Sequence, residues 1–250
     1  MNAQNELAAQ LRELHGQPPL VLPNAWDAGS ARAIEAAGAA AIATTSAGVA
    51  WAYGVDDACG LDRAAAIATI RAVCAAVSIP VTADIEAGYG DVTRTVTEAI
   101  EAGAVGINLE DSTARVLDDP LVHAKRIRAA RSAAVALGID LVINARTDTY
   151  LFGDRTGTIE RAKVYADAGA DVLFVPGVVD GPTIGELVKA SPLPLNVMVD
   201  PGAPSVGELA ELGVARISVG PAITTAAYAL AATAAKELLT TGTYKTITVL

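Results

Sequence analysis

Polar side chains gather at the ends of short apolar runs in this chain, in pairs two residues apart. Asp84 pairs with Glu86 in "TADIEAGYG", Asn108 with Glu110 in "GINLED", and Asn144 with Arg146 in "LVINART". Residues two apart on a strand share a face, so each pair points one way. Single polar residues close other runs: Asn24, Thr45 with Ser46, and Asn196. Neighbouring carboxylates repel and lose hydration on burial unless a cation neutralises them. Satisfied polar caps are the bland alternative; acids and an arginine converging on one rim favour a site. Hard oxygen ligands without His or Cys suit Mg2+, or Mn2+, over zinc. Mg2+ takes one or two carboxylates, keeps waters and lets substrate complete its shell. A 2-oxo acid would chelate it through carboxylate and keto oxygens, and the metal would stabilise an enolate formed when a bond to C3 breaks. Arg146 offers a bidentate fork for the substrate carboxylate. "TTSAG" offers the Ser46 hydroxyl and the Ala47 and Gly48 N–H groups as an anion-holding turn.

These residues need a scaffold that brings strand ends together. Eight β-prone runs recur at 19–24, 41–46, 81–85, 106–111, 141–147, 172–177, 193–199 and 216–221. Helical patterns lie between them, and several end in Gly, as helix C-caps do. Strand–helix alternation implies parallel pairing, and eight units over 250 residues imply a (β/α)8 TIM barrel. An open doubly wound sheet is the alternative. No linker divides the chain, so residues 1–250 read as one domain with an N-terminal helix and an extra C-terminal helix at about 222–241. Two stretches, 47–60 and 112–120, exceed what the barrel needs and follow strands, where this fold builds active sites.

Composition agrees with a large core: 52% of residues are hydrophobic, 18% charged and only 4% aromatic, as buried parallel strands under Ala-rich helices require. The net charge of −10 argues against a nucleic-acid partner. Cys59 and Cys74 form no CxxC and read as free thiols. The first sixteen residues are amphipathic rather than signal-like, and no apolar run reaches the ~18 residues of a membrane span. A cytoplasmic enzyme without a membrane partner is the expectation.

"PNAWDAGSARAIEAAGAAAIATTSAG", "GVDD", "TADIEAGYG", "NLEDS" and "NARTD", in this order, resemble the isocitrate lyase/phosphoenolpyruvate mutase superfamily from about residue 18 to 221. The resemblance implies Mg2+, a small 2-oxo or 2-hydroxy (di)carboxylate, and a C–C or C–P bond broken or made beside the carbonyl. It implies that Asp84 ligates the metal directly, while Glu86, Glu110 and Asp57 hold it through water. It gives Ser46, Ala47 and Gly48 the oxo-acid end of the substrate, Arg146 its carboxylate, and Asn196 a further contact. Ser46, Arg146 and Glu110 are the candidate catalytic residues. It also implies a homodimer or homotetramer exchanging C-terminal helices. The chain departs at "STARVLDDPLVHA", where the lyase branch carries Lys-Lys-Cys-Gly-His and the mutase branch a Lys- and Asn-bearing loop. Position 86 is Glu where many members have Asp, and the shortened loop implies a smaller lid. Decarboxylation of an oxaloacetate-like acid, or isocitrate lyase-like cleavage, is the leading expectation; phosphonopyruvate hydrolase or mutase chemistry is the alternative.

Other residues carry weaker signals. His123 reads as a surface or capping residue, with a lid-borne proton donor as the sharper alternative. His15 reads as structural, Cys59 as unactivated, Tyr89 as a donor or a packing residue, and Asp118 with Asp119 as a solvated loop pair. "ISVGPAITT" at 217–225 could hold a phosphate on helix N–H groups, which keeps a metal-free phosphosugar barrel in view. A sensor that binds a 2-oxo acid without turnover is the non-catalytic alternative.

Overall fold

The computed structural model describes residues 3–16, 19–57 and 60–247. The eight expected runs all form strands: β1 (Leu20–Leu22 continuing at Asn24–Ala25), β2 (Ile42–Thr44), β3 (Val81–Asp84), β4 (Gly106–Glu110), β5 (Val142–Arg146), β6 (Val172–Val175), β7 (Leu195–Met198) and β8 (Arg216–Ser218). All neighbours pair in parallel. The sheet closes through β1, whose first segment pairs with β8 and whose second pairs with β2. Pro23 stands at the break, and having no N–H it cannot donate to a ladder there. Asn24 bridges the seam from its side chain, donating to the Thr44 carbonyl at 3.0 Å and accepting from Val219 N at 3.0 Å. The sheet is thus a barrel and not an open doubly wound sheet.

Helices surround it in chain order: α1 (Ala3–His15), α2 (Ala28–Ala36), α3 (Ser46–Ala52), α4 (Arg63–Ala76), α5 (Val92–Glu101), α6 (Pro120–Ala136), α7 (Thr149–Phe152), α8 (Thr158–Asp167), α9 (Gly181–Ala190), α10 (Val206–Glu211) and α11 (Ala222–Thr241). Many begin on an aspartate cap that accepts from the first-turn backbone: Asp27, Asp62, Asp91, Asp119 and Asp180. The main core lies between strands and helices and is built from Ile, Leu, Val and Ala, such as Ile107, Leu109, Ile127, Ile143 and Leu173. At the expected C-terminal helix, α11, only Thr224 and Ala234 are buried, and Tyr228, Leu230, Leu238 and Leu239 stay exposed. None of the helices among the described residues is long and apolar enough to cross a membrane.

Two expectations change. His123 is fully buried on α6, its ring edge-on to Tyr165 at 4.6 Å, rather than a surface residue. It lies in the first turn of α6, which begins at Pro120, and falls on the inward face. Asp118 and Asp119 are not an idle solvated pair: Asp118 binds Arg126 at 2.7 Å and Asp119 caps α6. His15 is structural as expected, bonded through Nδ1 to the Leu11 carbonyl at 2.7 Å. Cys74 is a free thiol that burial pushes up to about 12, whereas Cys59 lies outside the described residues.

Candidate active site

The C-terminal ends of the strands open into one cavity of about 230 Å3. Asp57, Asp84, Glu86, Glu110, Ser46, Ala47 and Arg146 all line it. Strand register accounts for much of this convergence. Asp84 lies opposite Asn108, which lies opposite Asn144, on the adjoining strands β3, β4 and β5. Their side chains form a ladder: Asn144 Nδ2 donates to Asn108 Oδ1, and Asn108 Nδ2 donates to Asp84 Oδ1, each at 3.0 Å. The Ser46 N–H donates to Asp84 Oδ2 at 3.1 Å. A carboxylate held by three strands in this way has one orientation, which a metal ligand or a charge anchor needs.

Glu86 reaches the cavity by another route. β3 ends at Asp84, so strand alternation does not aim Glu86; its backbone instead turns left-handed, at φ 49°. Tyr89 is left-handed as well, at φ 49°, and donates its hydroxyl to Glu86 Oε1 at 3.0 Å. Gly88 must be glycine in this turn, because its φ is 92° and a Cβ would meet Val92 Cγ2 at 2.4 Å. Left-handed non-glycine residues cost roughly 1–2 kcal/mol each, a strain typical of functional turns.

Glu110 and Arg146 are in register across β4 and β5 and pair at 3.1 Å. Arg146 also binds Asp148 through Nε at 2.6 Å, and its guanidinium lies 5.9 Å above the Phe174 ring. Asp148 is fully buried and accepts from Ser112 Oγ at 2.5 Å. Behind it, buried Asp111 accepts from the Asp148 N–H at 2.9 Å, from Tyr165 OH at 2.6 Å and from Arg161 at 2.9 Å. "NLEDS" and "NARTD" are therefore interlocked: Ser112 and Asp148 join at the cavity wall, with Asp111 behind them.

Charge in the cavity is unevenly balanced. Burial pushes Glu110 up to about 8; Arg146 opposes the shift, while Asp84, Asp148 and Glu86 reinforce it. Glu86 rises to about 7, first through burial and then through Asp84, despite the Tyr89 hydrogen bond. Among the described residues no three His, Cys, Asp or Glu side chains are gathered tightly enough to ligate an ion together. Mg2+ asks for less, one or two protein carboxylates with water or substrate beyond. The carboxylates of Asp57, Asp84, Glu86 and Glu110, facing one cavity, fit such a cation in charge and in donor type.

The remaining expected residues sit differently. Ser46, Ala47 and Gly48 form the first turn of α3, where Ala47 lines the cavity and Gly48 packs under it against Thr224. Asn196 is fully buried and bonds Ser218 at 3.2 Å, away from the cavity wall. The 112–120 stretch forms a tight hairpin, Ser112–Thr113 against Val116–Leu117, turning on Ala114 and Arg115 at φ 50° and 64°. Sequence reasoning passed over Asp148, Asp111 and Arg216. Arg216 is 1% exposed, lines the cavity from β8, and has no hydrogen-bond partner for Nε and Nη1 among the described residues. Its neighbours "VARISV" read as plain strand, so only the oddity of an arginine inside an apolar run marks it.

The family model described as phosphoenolpyruvate phosphomutase matches residues 11–239. An uncharacterized protein of Mycobacterium tuberculosis (strain H37Rv) is 41% identical over 231 residues, covering 90% of this chain and 87% of that one. A crystal structure of a Burkholderia cenocepacia J2315 protein, provisionally assigned as a lyase/mutase, superposes with a TM-score of 0.93 at 40% identity, covering 99% and 94% of the two chains. The 2,3-dimethylmalate lyase of Eubacterium barkeri is 32% identical, over 67% of this chain and 62% of its own.

Proposed function

The chain belongs to the isocitrate lyase/phosphoenolpyruvate mutase superfamily of lyases and mutases, and from that premise we propose that it is a Mg2+-dependent carbon–carbon lyase. Its substrate would be a small 2-oxo or 2-hydroxy dicarboxylate, cleaved beside the carbonyl in the manner of an oxaloacetate decarboxylase or an isocitrate lyase. The observation that carries the reading is Asp84, fixed by Ser46 N and Asn108 within a cavity that also holds Glu86, Glu110 and Arg146. Asp84 would hold the cation, with Glu86, Glu110 and Asp57 reaching it through water. When bound, the cation supplies Lewis-acid charge beside the reacting carbonyl.

The chain's own groups supply the rest. Arg146, braced by Glu110 and Asp148, presents its remaining donors to a substrate carboxylate. Glu110, raised to about 8, can hold or release a proton at neutral pH, as a general acid or base must. Tyr89 keeps Glu86 turned toward the cavity. Leu151 and Phe152 wall the cavity beside the hairpin and limit water. The match to a phosphoenolpyruvate phosphomutase model favours C–P chemistry as the second reading.

The test is turnover of oxaloacetate, isocitrate, methylisocitrate and phosphonopyruvate by purified protein, with Mg2+ and with EDTA. Metal-dependent loss of one C–C substrate, abolished in Asp84→Asn, is expected. Turnover that survives EDTA, or cleavage of phosphonopyruvate alone, would sink the proposal.

A further inference from the structure

Arg216 is the buried cation that the cavity leaves uncommitted. Its side chain projects inward from the start of β8, on the same face as Ser218, which also lines the cavity. Nε and Nη1 are shut away from solvent and have no hydrogen-bond partner among the described residues. Among the described residues no ion pair involves it, whereas Arg146 already spends two donors on Glu110 and Asp148. The oxygens of Asp84, the acid whose charge acts on Arg216, are taken up by Ser46 N, Asn108 and the Glu86 N–H.

An unpaired guanidinium in such a place is costly, because buried charges lose hydration and need a partner. Burial alone pushes Arg216 down to about 9, with Asp84 the opposing influence. A hydrophobic residue would fill the same strand position without that cost. The planar fork suits a carboxylate or a phosphate held by two parallel N–H···O bonds, and the substrate class proposed above supplies the carboxylate. Arg146 and Arg216 stand three strands apart around the same cavity, which lets them grip the two ends of one small molecule.

We propose that Arg216 binds the second carboxylate of a dicarboxylate substrate, so that this chain selects 2-oxo dicarboxylates over 2-oxo monocarboxylates. The assignment rests on the substrate class proposed above and names the residue that recognises it. The first carboxylate and the oxo group stay with the Asp84–Arg146 side of the cavity. Arg216 is a binding residue here and takes part in no bond-breaking step.

Oxaloacetate and pyruvate differ by this one carboxylate, so calorimetric titration of both in the presence of Mg2+ isolates it. Wild type should prefer oxaloacetate. Arg216→Met should weaken oxaloacetate by about ten- to a hundredfold, the range of charge-assisted hydrogen bonds to a carboxylate, and leave pyruvate within about twofold. Arg216→Lys should recover part of the loss. The ligand-free Tm of Arg216→Met should equal or exceed that of wild type, since an unpaired buried charge has been removed. Equal losses for both acids, no loss for either, or a ligand-free Tm well below wild type would each overturn the role, the last by making Arg216 structural. Wild type that binds no dicarboxylate would overturn the substrate class and this assignment together. Tight binding unaffected by Arg216→Met would overturn this assignment alone.

Discussion

Asp148 offers the sharpest test of how the site is held, because it is buried, faces the cavity and acts through Arg146. It is fully buried, accepts two hydrogen bonds, from Arg146 Nε at 2.6 Å and Ser112 Oγ at 2.5 Å, and donates its own backbone N–H to Asp111 Oδ1 at 2.9 Å. Asp148→Ala removes the first two and leaves Arg146 with Glu110 alone. Breaking a buried ion pair by deleting one partner costs about 3–5 kcal/mol. In a chain of this length each kcal/mol lowers Tm by roughly 2–4 °C, so the expected drop is about 6–20 °C. Asp148→Asn keeps an acceptor for Arg146 but loses its charge, which halves such a bond, so about 1–1.5 kcal/mol is expected. Circular-dichroism melts of both variants, with urea unfolding to check the slope, measure the ranking. The Arg146→Met background completes a double-mutant cycle, in which Asp148→Ala should cost at least 1 kcal/mol less than in wild type. Additive costs, or an Asp148→Ala variant as stable as wild type, would refute the claim that Asp148 works by bracing Arg146.

Two further variants probe elements beside the cavity. His123 is neutral and buried, its pKa pushed down to about 3 chiefly by burial and then by Arg126. Its folded value lies below the ordinary 6.5, so its contribution is present above pH 6.5 and fades as pH falls toward 3. His123→Leu should therefore flatten the acid side of the stability-versus-pH curve measured by urea unfolding, and an unchanged slope would contradict this. At Gly48 an added Cβ would stand 2.6 Å from Thr224 Oγ1 and 2.7 Å from Thr45 Cγ2. Gly48→Ala should cost about 1–3 kcal/mol by overpacking and shift the turn that fixes Asp84; a melt and a Mg2+ titration matching wild type would count against that close fit.

What could be read in advance divides along physical lines. Strand positions were legible because buried parallel strands are continuous apolar runs, and Asp84, Asn108 and Asn144 could be placed together because period-two alternation survives barrel closure. Glu86 was placed in the cavity for the wrong reason: a left-handed backbone aims it, and no pattern of side-chain types announces φ 49° at a glutamate. The split of β1 at Pro23 has a visible cause in the missing N–H, but which neighbour each half would join depends on closure and is set by the whole barrel. His123 was misjudged because which face of α6 turns inward is set by packing, here against Tyr165, and not by nearness to the start of the helix. Asp111, Asp148 and Arg216 are the instructive omissions. Each is a charge whose meaning lies in partners that only the fold brings to it, such as Ser112 to Asp148 or Tyr165 to Asp111, or in the lack of one. Local sequence can show that a charge sits in a strand end; it cannot show whether that charge is already neutralised. Asp148 and Arg216 border the same cavity, yet the first is braced by Arg146 and Ser112 while the second has donors to spare. That difference separates a residue that holds the site together from one available to a ligand, and it follows only from the three-dimensional count of donors and acceptors.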